Sequence, residues 1–284
     1  MIAFSLTVPL TRVAVQTLSP LFVGAGRAVV AGSLALCCLV ITRQPLPSAR
    51  QWLRLTVVAA GVVLGFPLLT SYALTEVPAS HGAVVVGVLP AATAVMAVVR
   101  GHERPSARFW VAGALGAGAA VGFAVLGPGG LHSGRLADLL LLGAVGLGAV
   151  GYAEGGLVSR ELGAWQTICW ALVLALPVTL VLTMASAATA PPVSSRTGWL
   201  CFAYVSAVSM FLGFFAWYRG LAIGPMTRVS QVQLVQPVLS ILWSAVLLGE
   251  ALTARILLGG VTVIGCAAFA VRSRSTDASA KTVA

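Results

Sequence analysis

Charged residues are scarce in this sequence, and acidic residues are the scarcest. Only 8% of the 284 residues are charged, with seven Asp and Glu against 17 Lys and Arg. A soluble domain usually carries about a quarter charged residues. So few charges cannot cover the surface of a water-soluble fold of this size, which excludes a soluble enzyme and a disordered chain. We also expect no nucleic-acid partner, although the formal net charge is +10.

Sequence signatures of catalysis and metal binding are absent as well. The five cysteines lie in or next to apolar segments without Cys-x-x-Cys spacing, and the three histidines are scattered. There is no Walker-type phosphate loop and no Gly-x-Ser-x-Gly nucleophile motif. We therefore expect no ATPase, no metal, no cofactor and no enzymatic activity, with the thiols packing as small hydrophobic groups.

Long apolar runs make up nearly all of the chain. Hydrophobic residues account for 59% of it, and the mean hydropathy is +1.00. The runs do not alternate, so α-helices are the solution that satisfies the backbone in lipid. The first run lacks the features of a cleaved signal peptide, and we expect it to be retained. The sequence thus predicts an all-α integral membrane protein with ten transmembrane helices, at about 2–18, 21–42, 55–75, 80–99, 109–126, 137–158, 165–186, 199–218, 229–248 and 256–271.

The distribution of basic residues predicts the orientation. If the N-terminus is inside, the inner connections and the C-terminal tail hold twelve Arg and Lys, and the outer connections hold three. Basic residues concentrate in cytoplasmic loops. We therefore expect a multi-pass protein of the inner or plasma membrane with both termini in the cytoplasm.

The chain contains an internal repeat. A shift of 147 residues superposes uncommon residues, among them Pro78 on Pro225, Pro90 on Pro237 and Glu103 on Glu250. The sequence therefore predicts two halves of five helices each, at 1–126 and 137–271, followed by a cytoplasmic tail at 272–284. Because five is odd, the second half is inverted relative to the first, as in many secondary transporters.

The repeat carries a resemblance to a known family. Each half carries a box with Gly and Glu before its fifth helix, GHERPS at 101–106 and GEALT at 249–253. A helix with a central proline precedes each box, at 73–90 and 220–237. With basic residues in the first two helices, these features resemble the EamA-type families of the drug/metabolite transporter superfamily. Phe4-Ser5 stands where the family usually has Trp-Gly. The resemblance implies two inverted repeats of five helices and transport of small metabolites, with efflux as the expected direction.

The Gly-Glu box has a structural explanation. Gly249 can adopt the left-handed conformation that closes a helix, and Thr253 can cap the next one. We therefore expect the box to form a tight turn rather than to contact substrate.

A polar stripe marks the predicted span at 229–248. Spacings of three and four residues place its members on one helical face. Such a stripe can line a substrate path or form hydrogen bonds between helices, and its position beside Pro237 favours the path. Pro90 is the corresponding kink in the first half. The stripe consists of Ser230, Gln233, Gln236, Ser240 and Ser244.

Three charged residues lie well within the predicted spans, away from the span ends. Arg12 and Arg27 are candidates for a positive end of the cavity, although Arg12 can equally snorkel or pair. Glu154 is the acidic candidate for proton coupling, but an ion pair with an arginine near the inner interface is the favoured interpretation.

Aromatic residues supply further candidates. Tyr152 and Trp243 are candidate pocket walls, whereas Trp217 and Tyr218 are expected to anchor the membrane interface. The pair Gly151 and Gly155 predicts close helix packing.

These observations favour a secondary transporter that moves a small metabolite or drug-like molecule by alternating access, as a monomer or homodimer in the lipid bilayer. Two alternatives remain. One is a membrane-embedded lipid-handling protein or enzyme, with Glu154, Arg160 and Arg228 near one interface. The other is a non-transporting membrane scaffold.

Overall fold

All regular elements in the described part of the chain are helices. The computed structural model describes residues 1–101, 111, 115, 135–223, 226, 229, 232, 233, 235–254, 256–262, 264, 265 and 268. Most of the predicted span at 109–126 lies outside these residues, as do Glu103, Pro225 and Ser230.

Among the described residues, six helices are long and apolar enough to cross a membrane, and two apolar helices are shorter. This agrees with the predicted all-α membrane class. Their bounds are α1 Ile2–Val15, α2 Pro20–Ile41, α3 Ala49–Glu76, α4 Ala79–Arg100, α5 Arg135–Leu162, α6 Ala164–Thr189, α7 Arg196–Ile223 and α8 Val235–Leu248.

Serine side chains cap the N-termini of three helices. The Ser19 hydroxyl accepts from Phe22 N at 3.1 Å at the start of α2, where Pro20 occupies the first turn. Ser48 and Gln51 form a reciprocal capping box at the start of α3. Ser195 accepts from the third residue of its helix in the same way. Each cap satisfies a backbone donor that the helix leaves free.

Helix α5 is central and packs against α3, α4, α6 and α7. Glycines permit its closest contact, because a Cβ on Gly151 would lie 3.4 Å from the Cα of Gly61 in α3. A Cβ on Gly155 would overlap the Tyr218 ring of α7. The predicted close packing at Gly151 and Gly155 is confirmed.

The second Gly-Glu box forms the predicted turn. Gly249 has a positive φ of 66°, and Ile256 N donates to Thr253 Oγ1 at 3.3 Å where the chain becomes helical again. Glycine tolerates this backbone conformation because it has no Cβ.

Two of the long helices contain π-helical segments, Ala59–Gly65 in α3 and Tyr204–Leu212 in α7. A π segment inserts extra residues into a helical turn and re-aims side chains, often at functional sites.

The bundle has two ends, which we name after their acidic residues. At the Glu154 end, Gln166 Nε2 donates to Gln44 Oε1 at 3.4 Å. At the Glu250 end, the hydroxyls of Ser19 and Ser186 are 2.5 Å apart. The outer surface is apolar, with Val40, Val181 and Val246 each about two-thirds or more exposed, as expected of a lipid-facing surface. Cys37 is also exposed, contrary to the expectation that every thiol is buried.

Candidate functional site

A cavity that is partly open to solvent lies between the helices of the bundle, and its empty space of about 470 Å³ includes some of that open space. It draws residues from α1, α2, α3, α5, α7 and α8, and therefore from both predicted halves. Both π-helical segments contribute to it, through Val62 in α3 and through Ser209 and Met210 in α7. Its lining consists of Phe4, Thr7, Val8, Arg27, Val62, Phe66, Pro67, Tyr152, Ser209, Met210, Phe214 and Gln236.

Arg27 is the charged residue of this lining. Its side chain is 2% exposed, and its guanidinium nitrogens are 3.5 Å from Thr11 Oγ1 and from Thr70 Oγ1. Both distances are long for hydrogen bonds. The third nitrogen, Nε, has no hydrogen-bond partner among the described residues. The sequence predicted Arg27 as a cavity residue, and the structure places it there.

Aromatic rings form one wall of the cavity. Phe214 packs edge-on against Phe4 and Tyr152, with ring centroids 5.2 and 5.9 Å apart. Tyr152 also packs against Trp217 at 5.5 Å. Edge-to-face contacts of this kind are favourable and fix the ring orientations. Tyr152 is therefore held in place as a wall residue, which is the role that the sequence suggested for it.

Neutral polar groups complete the lining. The hydroxyls of Thr7 and Ser209 are 2.6 Å apart and join α1 to α7. Gln236 Nε2 lies 3.5 Å from the carbonyl oxygen of Phe4. The distance is long, so this amide keeps hydrogen-bonding capacity toward the cavity.

A second, smaller cavity adjoins the first and shares Val8 and Gln236 with it. It brings together candidates from both predicted halves. The side chain of Gln233 is 2% exposed, and its Oε1 has no hydrogen-bond partner among the described residues. The candidates that line this cavity are Pro90, Gln233, Gln236, Pro237 and Ser240.

The far part of the polar stripe holds helices together. Ser240 Oγ donates to the carbonyl of Ser5 at 2.7 Å, and Trp243 Nε1 donates to Ser5 Oγ at 3.0 Å. Ser244 is fully buried and donates to its own helix at Ser240 O. Trp243 lines neither of these two cavities. Its hydrogen-bond partner is Ser5, which belongs to the Phe4-Ser5 pair that stands in place of the family's usual Trp-Gly. Ser230 lies outside the described residues.

Arg12 closes the end of a helix. Its Nη1 donates to the carbonyl oxygens of Leu74 at 2.5 Å and Thr75 at 3.0 Å, in the last turn of α3. These carbonyls have no partner within the helix, and a cation there is favourable. The structure thus places Arg12 as a capping group outside the two cavities.

Glu154 is 1% exposed and forms ion pairs with two arginines, Arg54 of α3 and Arg100 of α4. Arg54 also pairs with Glu161 at 2.6 Å. This network matches the ion-pair interpretation that the sequence favoured. It does not involve Arg160, which is exposed.

Trp217 and Tyr218 are not interface anchors, so that prediction is wrong. They are 4% and 0% exposed, respectively. Trp217 packs behind the aromatic wall, and the Tyr218 hydroxyl lies 3.4 Å from the carbonyl of Gly151. Their position near a span end suggested the interface, but the missing side chain at Gly155 leaves room for the Tyr218 ring inside the bundle.

Several lining residues were not predicted from the sequence. Phe4, Thr7, Ser209, Met210 and Phe214 are ordinary residues of apolar helices, and only the departure at Phe4-Ser5 drew attention to that end of the chain. The described residues contain no group of three or more His, Cys, Asp or Glu that could hold a metal ion.

The model of the EamA-like transporter family matches residues 1–125 and 135–272. The chain belongs to this family. It is therefore a membrane transporter of the drug/metabolite type, and not an enzyme.

Two further similarities agree with this membership. A protein of Bacillus subtilis (strain 168), "Uncharacterized transporter YdeK", is 44% identical over 269 residues, covering 95% of this chain and 93% of that protein. A solved structure described as "Crystal structure of protein" matches with a TM-score of 0.66 at 16% identity, covering 95% of this chain and 96% of that one. At this identity the second match concerns the fold alone.

Proposed function

We propose that this EamA-family protein is a secondary transporter that moves a small organic molecule through the cavity around Arg27 and Gln236. The observation that carries the proposal is that this cavity is lined by helices of both predicted halves. Substrate sites at a repeat interface near mid-membrane are typical of such carriers. The adjoining cavity at Gln233 and Pro237 extends the path.

The proposed architecture is ten helices in two inverted repeats, at 1–126 and 137–271. The π-helical segments support it, because a shift of 147 residues places 59–65 on 206–212, within Tyr204–Leu212. Equivalent irregularities in the two halves are expected if one rocks against the other in alternating access.

The proposed direction is efflux from the cytoplasm across the inner or plasma membrane, with both termini cytoplasmic. The EamA resemblance supports the direction, and the excess of basic residues in the inner connections supports the orientation. Under this orientation the Glu154 end faces the cytoplasm and the Glu250 end faces outward.

Counterflow in proteoliposomes tests the proposal. Vesicles are preloaded in turn with phenylalanine, valine, uridine, benzenesulfonate and ethidium, and uptake of the labelled compound is measured. We expect protein-dependent uptake of at least one compound, which Ser209→Leu blocks by filling the cavity. Ser33→Leu is the matched control, because Ser33 is exposed on the lipid-facing side of α2. Absence of protein-dependent flux for every compound would contradict the proposal.

A further inference from the structure

We infer that the substrate is a small organic anion, with its carboxylate or equivalent oxyanion bound by Arg27 and its apolar body against the aromatic wall. The inference rests on the proposed function and specifies its substrate class. A guanidinium buried within a membrane protein is energetically unfavourable unless it is paired with an anion.

Arg27 has no such pair among the described residues. Its contacts are two neutral hydroxyls at 3.5 Å, and its Nε has none. The Thr70 hydroxyl is already committed, since it donates to the carbonyl of Phe66 at 2.6 Å. The positive charge therefore faces the cavity without compensation.

Every acidic residue of the described chain is engaged elsewhere. Glu154 and Glu161 pair with arginines at the Glu154 end. Asp138 contacts His81 at 2.6 Å, and Glu250 accepts two backbone N–H groups. Glu76 is exposed beside Thr75. None of them lies within ion-pair distance of Arg27, so a bound anion is the group that would satisfy it.

The uncharged residues of the lining indicate the chemistry of the remainder of the ligand. Most of the lining consists of aromatic and aliphatic side chains, with Phe4, Phe214 and Met210 among them. Among the described residues no carboxylate lines the cavity, so a cationic group on the ligand would meet no opposite charge there. The hydroxyls of Thr7 and Ser209 and the amide of Gln236 suit a neutral polar substituent. This combination favours a monoanion with an apolar or aromatic body.

Arginine, rather than lysine, suits this ligand. Its planar guanidinium presents parallel N–H donors that match the two oxygens of a carboxylate. Arg27→Lys keeps the charge but loses that geometry, and Arg27→Gln loses both. The two variants therefore separate charge from shape.

The binding test uses matched acid and amide pairs, which differ in charge but little in size. Protein in lipid nanodiscs is unfolded thermally with benzoate or benzamide, and with hexanoate or hexanamide. We expect an acid to raise the Tm by about 2–3 °C at ten times its Kd, and its amide to give no comparable shift. Arg27→Gln removes the difference, Arg27→Lys reduces it, and Arg50→Gln keeps it, since Arg50 is exposed at the start of α3.

The transport test uses benzenesulfonate, whose permanent charge prevents leakage as a neutral acid. We expect at least tenfold lower counterflow for Arg27→Gln than for wild type and Arg50→Gln. Amides that stabilise the protein as well as acids, an Arg27→Gln variant with the wild-type response, or no response to any anion would overturn the inference. Flux of uridine or valine that survives in Arg27→Gln would leave the proposed function intact and reject the anion alone, whereas no flux of any compound would reject both.

Discussion

The carboxylate of Glu250 caps the helix that begins at Ala79. Its Oε1 accepts from Ala79 N and its Oε2 from Ser80 N, both at 2.8 Å. The second Gly-Glu box thus contacts the start of α4, in the other predicted half, directly after Pro78. An anion at a helix N-terminus satisfies free N–H groups and interacts favourably with the helix dipole.

We predict that Glu250→Gln lowers the free energy of unfolding by about 2 kcal/mol, because one charged acceptor is replaced by an amide NH₂ that faces an N–H donor. Glu250→Ala should cost at least as much. The measurement is thermal unfolding of purified protein. Glu76→Gln is the control, since Glu76 is exposed and should tolerate the change. Equal stability of both Gln variants would contradict a capping role.

The Glu250 cap shows which features of the fold can be predicted from the sequence and which cannot. The repeat aligned Pro78 with Pro225 and Glu103 with Glu250, and it predicted the turn at Gly249 and the cap by Thr253. The repeat did not predict that Glu250 binds the start of α4, because Glu250 and Ala79 are 171 positions apart in the sequence. Periodicity within one helix is visible in the sequence, whereas the helix that faces it is decided by packing.

The same distinction applies to the candidate site. The three-and-four spacing placed Gln233, Gln236 and Ser240 on one face, and all three side chains are buried. Their neighbours Phe4 and Ser5 come from the opposite end of the chain and carry no periodic signal. The Ser240 hydroxyl donates to the backbone carbonyl of Ser5. Any residue type can supply such a carbonyl, so the sequence carries no signal of this contact.

The ion pairs of Glu154 lead to a second prediction. Glu154→Gln leaves Arg54 and Arg100 without their buried partner and should cost about 3 kcal/mol of stability, measured by thermal unfolding. If the role is structural, the dependence of transport on an imposed pH gradient keeps its shape. Glu161→Gln is the matched control and should cost less, because Glu161 is 47% exposed and contacts Arg54 alone. A stable Glu154→Gln protein that has lost only its response to the pH gradient would instead identify a proton carrier.

Glycine packing between α3 and α5 supports a third prediction. In Gly151→Ala the new Cβ would lie 2.6 Å from Val62 Cγ2 and 3.2 Å from Val62 N, so the helices must separate. We expect a loss of about 1–3 kcal/mol, as for other overpacked sites. Gly146→Ala on the same helix meets nothing within 4 Å and should be neutral or slightly stabilising. Since Val62 lines the cavity, Gly151→Ala should also slow transport, and equal unfolding temperatures for the two variants would refute the contact.

A buried pair at the Glu250 end supports a fourth prediction. His81 Nε2 and Asp138 Oδ1 are 2.6 Å apart and join α4 to α5. A double-mutant cycle of His81→Gln and Asp138→Asn should give a coupling energy of about 1–3 kcal/mol, because residues in one buried hydrogen-bonded network are not independent. Additive effects on the unfolding free energy would show that the contact contributes nothing.

Gln233 should show opposite effects on stability and transport. Its buried Oε1 lacks a hydrogen-bond partner among the described residues, and such an atom destabilises the protein by about 1–3 kcal/mol. Gln233→Met removes the unpaired oxygen at similar volume and should raise the unfolding temperature of ligand-free protein. If this amide hydrogen-bonds the substrate as it passes, the same change slows counterflow and weakens stabilisation by ligand. Gln44→Met at the Glu154 end, where the amide has partners, should give neither effect. A destabilising polar group is expected at a buried position only where it serves function. A stabilised Gln233→Met protein with unaltered counterflow would therefore place Gln233 outside the path.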